Sequence, residues 1–173
     1  MKKSIQLLLF ALCVLLAISA CSKYDEPGSG YTIVPFDNSK LLFGYWVPGA
    51  NLRLEIYNAY GPTASNPGLD VANFAFANEV SVTFTLSDII FTVHPDELPD
   101  GYLSASIFFA NSDGSVSGNG PSVTVTGEGT YTVVFAPGTA VTDVRVFVID
   151  IVNMALINYM GIVTATIDEI RVR

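Results

Sequence analysis

The chain has 173 residues, half of them hydrophobic and only 14% charged, with a formal net charge of −8. That balance excludes a disordered tail, a coiled coil and a charged solvated rod. Beyond the first twenty positions the basic residues Lys23, Lys40, Arg53, Arg145, Arg171 and Arg173 are scattered among sixteen acidic ones, which excludes the clustered basic face that nucleic acid requires.

Met1-Lys2-Lys3 is a positively charged start, and an apolar stretch interrupted by Gln6 follows from Ile5 to Ile18. At about 1.5 Å per residue it spans ~21 Å as a helix, short of the ~30 Å hydrocarbon core, so 1–20 reads as a cleavable export signal. The junction Ile18-Ser19-Ala20-Cys21 resembles the lipobox of bacterial lipoproteins. The resemblance implies that Cys21 is lipidated, and at about 0.8 kcal/mol per buried methylene two or three acyl chains hold a protein on a membrane permanently. The other cysteine, Cys13, lies inside the leader, so the mature chain has no disulfide and its stability must come from packing. The acidic cluster in Cys21-Ser22-Lys23-Tyr24-Asp25-Glu26 resembles the surface-export signal of Bacteroidota lipoproteins, which implies an outer-membrane, cell-surface location. With Pro27-Gly28-Ser29-Gly30 as a flexible spacer, 21–30 is expected to be a tether.

The segment 31–173 is one domain in size. Period-two alternation recurs along it between Gly, Pro, Asn and Asp punctuation, the pattern of an all-β chain. Strands are expected near Tyr31 to Phe36, Leu41 to Trp46, Asn51 to Asn58, Val71 to Phe76, Val80 to Ser87, Leu103 to Phe109, Val123 to Val125 and Tyr131 to Phe135. Val144 to Ile149 is apolar on both phases, so that strand should be central and covered on both faces. In the closing segment Val163, Ala165 and Ile167 share one phase and Ile170 and Val172 the other, which predicts a β-bulge at Asp168-Glu169. Nine to ten strands of this spacing fit a two-sheet antiparallel β-sandwich. Two loops, Ala59 to Gly68 and Asn111 to Pro121, are long enough to be functional rims. Ile151 to Gly161 is either a single helical turn, from its spacing of Val152, Ala155, Leu156 and Tyr159, or an irregular crossover.

Catalytic chemistry is poorly provided for. The lone histidine, His94, sits in the proline-stiffened His94-Pro95-Asp96-Glu97-Leu98-Pro99 and has no nucleophile elbow to serve. Zinc would need several His or Cys at close spacing. Asp168 and Glu169 at the bulge are the candidate calcium ligands, or two carboxylates that simply face solvent. What the sequence offers instead is a binding face. In Asn51 to Asn58 the outward set Asn51, Arg53, Glu55 and Tyr57 combines hydrogen-bond donors, acceptors and a ring, the groups that sugars meet with their hydroxyls and C–H faces. Candidate ligand-binding residues are Trp46, Arg53, Glu55, Tyr57, Tyr60, Tyr102 and Tyr159.

Two sets of motifs carry a family resemblance. They are Asn51-Leu52-Arg53-Leu54-Glu55-Ile56-Tyr57-Asn58-Ala59-Tyr60-Gly61 followed by Val80-Ser81-Val82-Thr83-Phe84-Thr85, and Thr126-Gly127-Glu128-Gly129-Thr130-Tyr131-Thr132-Val133 with the closing Ala165-Thr166-Ile167-Asp168-Glu169-Ile170-Arg171-Val172. Together they resemble jelly-roll, galactose-binding-like carbohydrate-binding modules. The resemblance implies polysaccharide recognition on a sheet face or at edge loops, with an optional structural Ca2+. In place of an aromatic that relatives often carry after the strand ending at Ala110, this chain has Asn111-Ser112-Asp113-Gly114-Ser115. The expectation is thus a non-catalytic, lipid-anchored protein that recognises carbohydrate, with a protein partner in a glycan-uptake or envelope complex. The alternatives are an envelope lipoprotein that docks to another protein and, more remotely, a small glycan hydrolase.

Overall fold

Two antiparallel sheets face each other in a computed structural model that describes residues 30–46, 50–157 and 163–173. Among the described residues there are ten strands: β1 (Thr32–Val34), β2 (Leu42–Trp46), β3 (Asn51–Asn58), β4 (Val80–Ser87), β5 (Ser104–Ala110), β6 (Ser117–Asn119), β7 (Val123–Thr124), β8 (Gly129–Phe135), β9 (Val146–Val152) and β10 (Thr164–Val172). The smaller sheet runs β1-β10-β4-β8, and the larger runs β2-β3-β9-β5-β6 with β7 also on β5. The expected all-β two-sheet sandwich is therefore what the chain forms, and Tyr31–Arg173 is one compact unit.

Alternation builds the interior. In β4 the residues Val80, Val82, Phe84 and Leu86 are buried while Ser81, Thr83, Thr85 and Ser87 face out. β9, between β3 and β5, is buried on both phases, as its doubly apolar sequence requires. Across the sandwich Phe109 of β5 stacks on Phe135 of β8 at 5.4 Å between centroids. Phe74, Phe76 and Phe147 complete a cluster of edge-on and tilted rings at 5.4–6.2 Å.

Phe74 and Phe76 come from the segment expected to be a strand over Val71 to Phe76, and that expectation is corrected. Asp70 accepts hydrogen bonds from the Ala72 N–H at 3.2 Å and the Asn73 amide at 2.8 Å, which turns the chain at the point where a strand would start. Only an isolated bridge between Phe76 and Val141 remains. Conversely, β6 (Ser117–Asn119) lies inside the loop expected over Asn111 to Pro121, because Ser-Gly-Asn shows no apolar alternation. That loop passes so close to β8 that a Cβ on Gly120 would sit 1.9 Å from the Val134 carbonyl oxygen.

The bulge expected at Asp168-Glu169 is present, since the register of β10 on β4 shifts between Ile167 and Glu169. Asn38 supports it. Its side-chain amide donates to the Ile167 carbonyl at 2.9 Å and accepts from the Ile167 N–H at 2.8 Å, standing in for a missing strand. The Gly-x-Gly-x-Tyr motif also has a structural task. Gly127 and Gly129 take φ of 131° and 151°, and Tyr131 folds back to donate to the Gly127 carbonyl at 2.7 Å and accept from the Thr126 N–H at 3.2 Å. At the end of β10, the Arg173 guanidinium meets Glu79 at 2.6 Å and lies 4.9 Å over the Tyr31 ring. The Tyr31 hydroxyl donates to the same carboxylate, and this hydrogen bond, with Arg173, holds Glu79 below the usual carboxylate range.

The segment Ile151 to Gly161 begins as the end of β9 and then makes a helical turn, α1 (Met154–Ile157). Met154 plugs the interior with no exposed surface. Residues 158–162, and Tyr159 with them, lie outside the described residues, as does Cys21.

Candidate functional site

The outer face of the larger sheet carries an open groove of about 640 Å³. β3 supplies Asn51, Arg53 and Asn58, β9 supplies Val146 and Asp150, β5 supplies Phe108, β6 supplies Asn119, and Tyr60 overhangs from the turn after β3. The groove crosses four adjacent strands, which at ~4.8 Å per strand spacing is about 14 Å.

Its floor has a charged part and an apolar part. Arg53 and Asp150 are direct partners in the β3–β9 register. The guanidinium grips the carboxylate with both arms, Nε to Oδ1 at 2.8 Å and Nη2 to Oδ2 at 3.1 Å, with the two side chains 10% and 13% exposed. A two-armed pair of this kind fixes both groups in orientation as well as neutralising them. Beside it, Ala110, Val146 and Val148 form a second buried cluster on which the half-buried Phe108 ring packs. Phe108 stands opposite Val148 and Asn119 in the register, so a ring lies between the apolar floor and an exposed amide.

Asn58 builds the wall that carries Tyr60. Its backbone N–H donates to Thr63 Oγ1 at 2.8 Å, its side-chain oxygen accepts from the Tyr60 N–H at 3.0 Å, and its amide nitrogen donates to Glu55 at 3.3 Å. The 3₁₀ turn Pro62–Ala64 that follows places Thr63, 1% exposed, under the loop. The outcome is a ring presented to solvent: Tyr60 is 79% exposed. Arg145 stands over that ring with its Cζ 5.9 Å from the centroid.

Of the residues singled out from the sequence, Arg53 and Tyr60 meet in this groove, and Glu55 adjoins it through Asn58. Tyr57 does not share their face. The β3–β9 register shifts between Glu55 and Tyr57, and the extra residue turns the Tyr57 ring towards the interior, where it packs half-buried against the core. Tyr102 is also half-buried against the core and lines a separate pocket of about 250 Å³, between the 95–103 loop and residues 124–126. Trp46 pairs with Asn51 along the β2–β3 backbone, and its side chain lies outside what is described. Asp168 accepts a hydrogen bond from Thr85 at 2.7 Å and Glu169 pairs with Arg171 at 2.5 Å. Among the described residues no group of three or more His, Cys, Asp or Glu could hold a metal ion.

Asp150, Phe108 and Asn119 were not singled out from the sequence. A signal existed for the first two. Asp150 is the one charge in the apolar strand Val146–Val152, and a charge there needs a cross-strand partner. Phe108 follows Ser104 and Ser106 on the polar phase of β5, an aromatic where solvent-facing residues are due.

Comparison with known proteins adds little. No family model matches the chain, and no curated protein matches it. Among solved structures, a chain described as "CBM4 structure and function" aligns with 85% of this chain and 86% of its own, at 12% identity and a TM-score of 0.22. A score that low transfers nothing to this chain, whose class is defined by its own two sheets and the groove on the larger one.

Proposed function

We propose that this protein recognises carbohydrate without transforming it, in the groove across the larger sheet, and that Cys21 tethers it by acyl chains to the outer membrane with the sandwich facing outward. The observation that carries the reading is the pairing of rings with planar polar groups along one furrow: Tyr60 and Phe108 beside Asn51, Asn58 and Asn119. Sugar C–H faces lie against rings, and sugar hydroxyls pair with amides. One ring that buries on the order of 100 Å² at ~25 cal/mol per Å² contributes about 2.5 kcal/mol. Two rings with a few hydrogen bonds reach about −4 to −8 kcal/mol, millimolar to micromolar affinity.

The groove's acid inventory argues against hydrolysis. Glycosidases require two carboxyl groups flanking the bond to be cut, whereas among the described residues this groove is lined by one, Asp150, and both its oxygens are engaged by Arg53.

A panel of soluble polysaccharides in native affinity electrophoresis tests the reading, with Tyr60→Ala run beside the unaltered protein. At least one glycan should retard the protein, and Tyr60→Ala should weaken that interaction by about thirtyfold, or ~2 kcal/mol. Absence of retardation across the panel refutes carbohydrate recognition. The anchor has its own test: palmitate labelling in cells should be lost in Cys21→Ala, and labelling that persists refutes the tether.

A further inference from the structure

Most cations of this acidic domain are matched to a carboxylate. Arg53 pairs with Asp150, Arg171 with Glu169 and Arg173 with Glu79, and Lys40 is close enough to Asp37 for its charge to be felt there. Arg145 is the exception. Its side chain makes no ion pair and no hydrogen bond among the described residues, although fourteen acidic residues lie among them. Its Nε is also the sole buried side-chain polar atom without a hydrogen-bond partner among the described residues. A group left in that condition calls for an explanation, because burial without a partner is costly.

The position of Arg145 supplies one. Its backbone is fixed by the Arg145 N–H to Ala110 carbonyl bond at 2.8 Å and by the Ala59 N–H that donates to the Arg145 carbonyl, also at 2.8 Å. Its guanidinium lies against Tyr60, the most exposed ring in the described domain and one wall of the groove. The Glu55 carboxylate is engaged by the Asn58 amide and that of Asp143 by the Ser112 N–H, and neither pairs with Arg145. A cation stacked on an aromatic ring and paired with no carboxylate among the described residues offers an incoming anion both a charge and a flat apolar face.

We infer that the groove takes a glycan with an anionic substituent, a carboxylate or a sulfate ester, and that Arg145 is the residue that selects it while Tyr60 holds the sugar ring. This rests on the carbohydrate reading of the groove and sharpens it. The domain's overall negative charge is no obstacle at physiological salt, where the screening length is about 8 Å and remote carboxylates are hidden from a bound ligand.

Two pairs of polymers of matched backbone test it: polygalacturonate against its methyl ester, and dextran sulfate against dextran. The full-length protein, purified in detergent, is titrated with each. The expected result is that the charged member of at least one pair binds about tenfold more tightly than its neutral counterpart, and that Arg145→Gln abolishes the preference while Arg145→Lys keeps part of it. Which pair shows the preference distinguishes carboxylate from sulfate. Equal binding of charged and neutral members, a preference that survives in R145Q, or binding confined to other neutral polymers overturns the inference and leaves carbohydrate recognition standing. Failure to bind any glycan overturns both. The comparison within the unaltered protein holds even if R145Q does not fold.

Discussion

The Arg53–Asp150 pair in the groove floor gives the sharpest test of the structure. Asp150→Ala removes the acceptor of these two guanidinium bonds and takes the carboxylate away from a cation whose side chain is only 10% exposed. Removing one partner of a fully buried pair costs about 3–5 kcal/mol. Here the groove opens above the pair, so water enters the vacated space and the lower figure, about 3 kcal/mol, applies. In a domain of this size 1 kcal/mol shifts the melting temperature by ~3 °C, which sets the expected drop at about 9 °C. The double variant Arg53→Met, Asp150→Leu replaces the pair by apolar groups and leaves no charge to strand. It should lose less than Asp150→Ala alone. Urea unfolding of Arg53→Met, Asp150→Leu and their double variant, followed by far-UV circular dichroism, closes the cycle with a coupling of about 2 kcal/mol. Losses that simply add, within ~0.5 kcal/mol, would show that the two residues act independently and refute the account of the floor.

Three further expectations concern the scaffold. Asn38→Ala deletes both hydrogen bonds that mimic a strand at the β10 bulge and should cost about 2 kcal/mol in urea unfolding; a loss under ~0.5 kcal/mol would mean that water replaces the amide there. Gly120→Ala pushes a methyl group onto the Val134 carbonyl at 1.9 Å, so the segment that follows β6 must part from β8, at about 3 kcal/mol; an unchanged melting temperature would contradict the close approach. Glu79 is held below the usual carboxylate range, chiefly by the Tyr31 hydroxyl and then by Arg173. A lowered folded-state pKa stabilises above the unfolded value, about 4.3, and that contribution is lost as the pH falls through the folded value. Glu79→Gln should therefore be less stable than the unaltered protein at neutral pH, and the difference should shrink in acid. Parallel stability curves from pH 7 to pH 3 would refute the linkage.

The two sheets were legible in the sequence wherever one face of a strand is wet and the other dry, because only then does alternation appear. β4, with Val-Ser-Val-Thr-Phe-Thr-Leu-Ser, is such a strand, and so is most of β3. β9 was legible for the opposite reason, apolar residues on both phases marking a strand covered on both sides. The phase slip in β10 revealed its bulge because apolar residues flank it. The slip in β3 was hidden: Tyr57 reads as outward by parity, and its ring is amphipathic enough to suit either side. The Val71 to Phe76 segment shows the converse error. Phe74 and Phe76 are two residues apart because a loop inserts both rings into the aromatic cluster, and alternation does not distinguish a strand from a loop that delivers anchors. The groove was legible only in part. Arg53 and Tyr60 belong to one stretch of chain, whereas Phe108, Asn119 and Asp150 join them through the strand order β3-β9-β5-β6, which no local pattern encodes.

That strand order also explains why the proposed binding surface lies on one face of the sandwich and not on the other. The outer face of the smaller sheet is polar too, but its hydroxyls answer one another: Thr83 with Thr132 at 2.9 Å, Thr85 with Thr130 at 2.8 Å, and Thr85 with Asp168 at 2.7 Å. Short side chains paired across strands make a flat surface with little hydrogen-bonding capacity left for a ligand. On the larger sheet the side chains differ in length across neighbouring strands. Val146 lies low between Asn58 on one side and Ala110 on the other, while Phe108 and Tyr60 stand higher. The unevenness produces a furrow, and its polar groups are only partly engaged within the protein. The exposed amide of Asn119 has no hydrogen-bond partner among the described residues, and the guanidinium of Arg145 meets only a ring. A face whose donors are satisfied internally gains nothing from a sugar. A face with rings, relief and unanswered donors gains on all three counts, and among the described residues the combination of β3, β9, β5 and β6 brings them together.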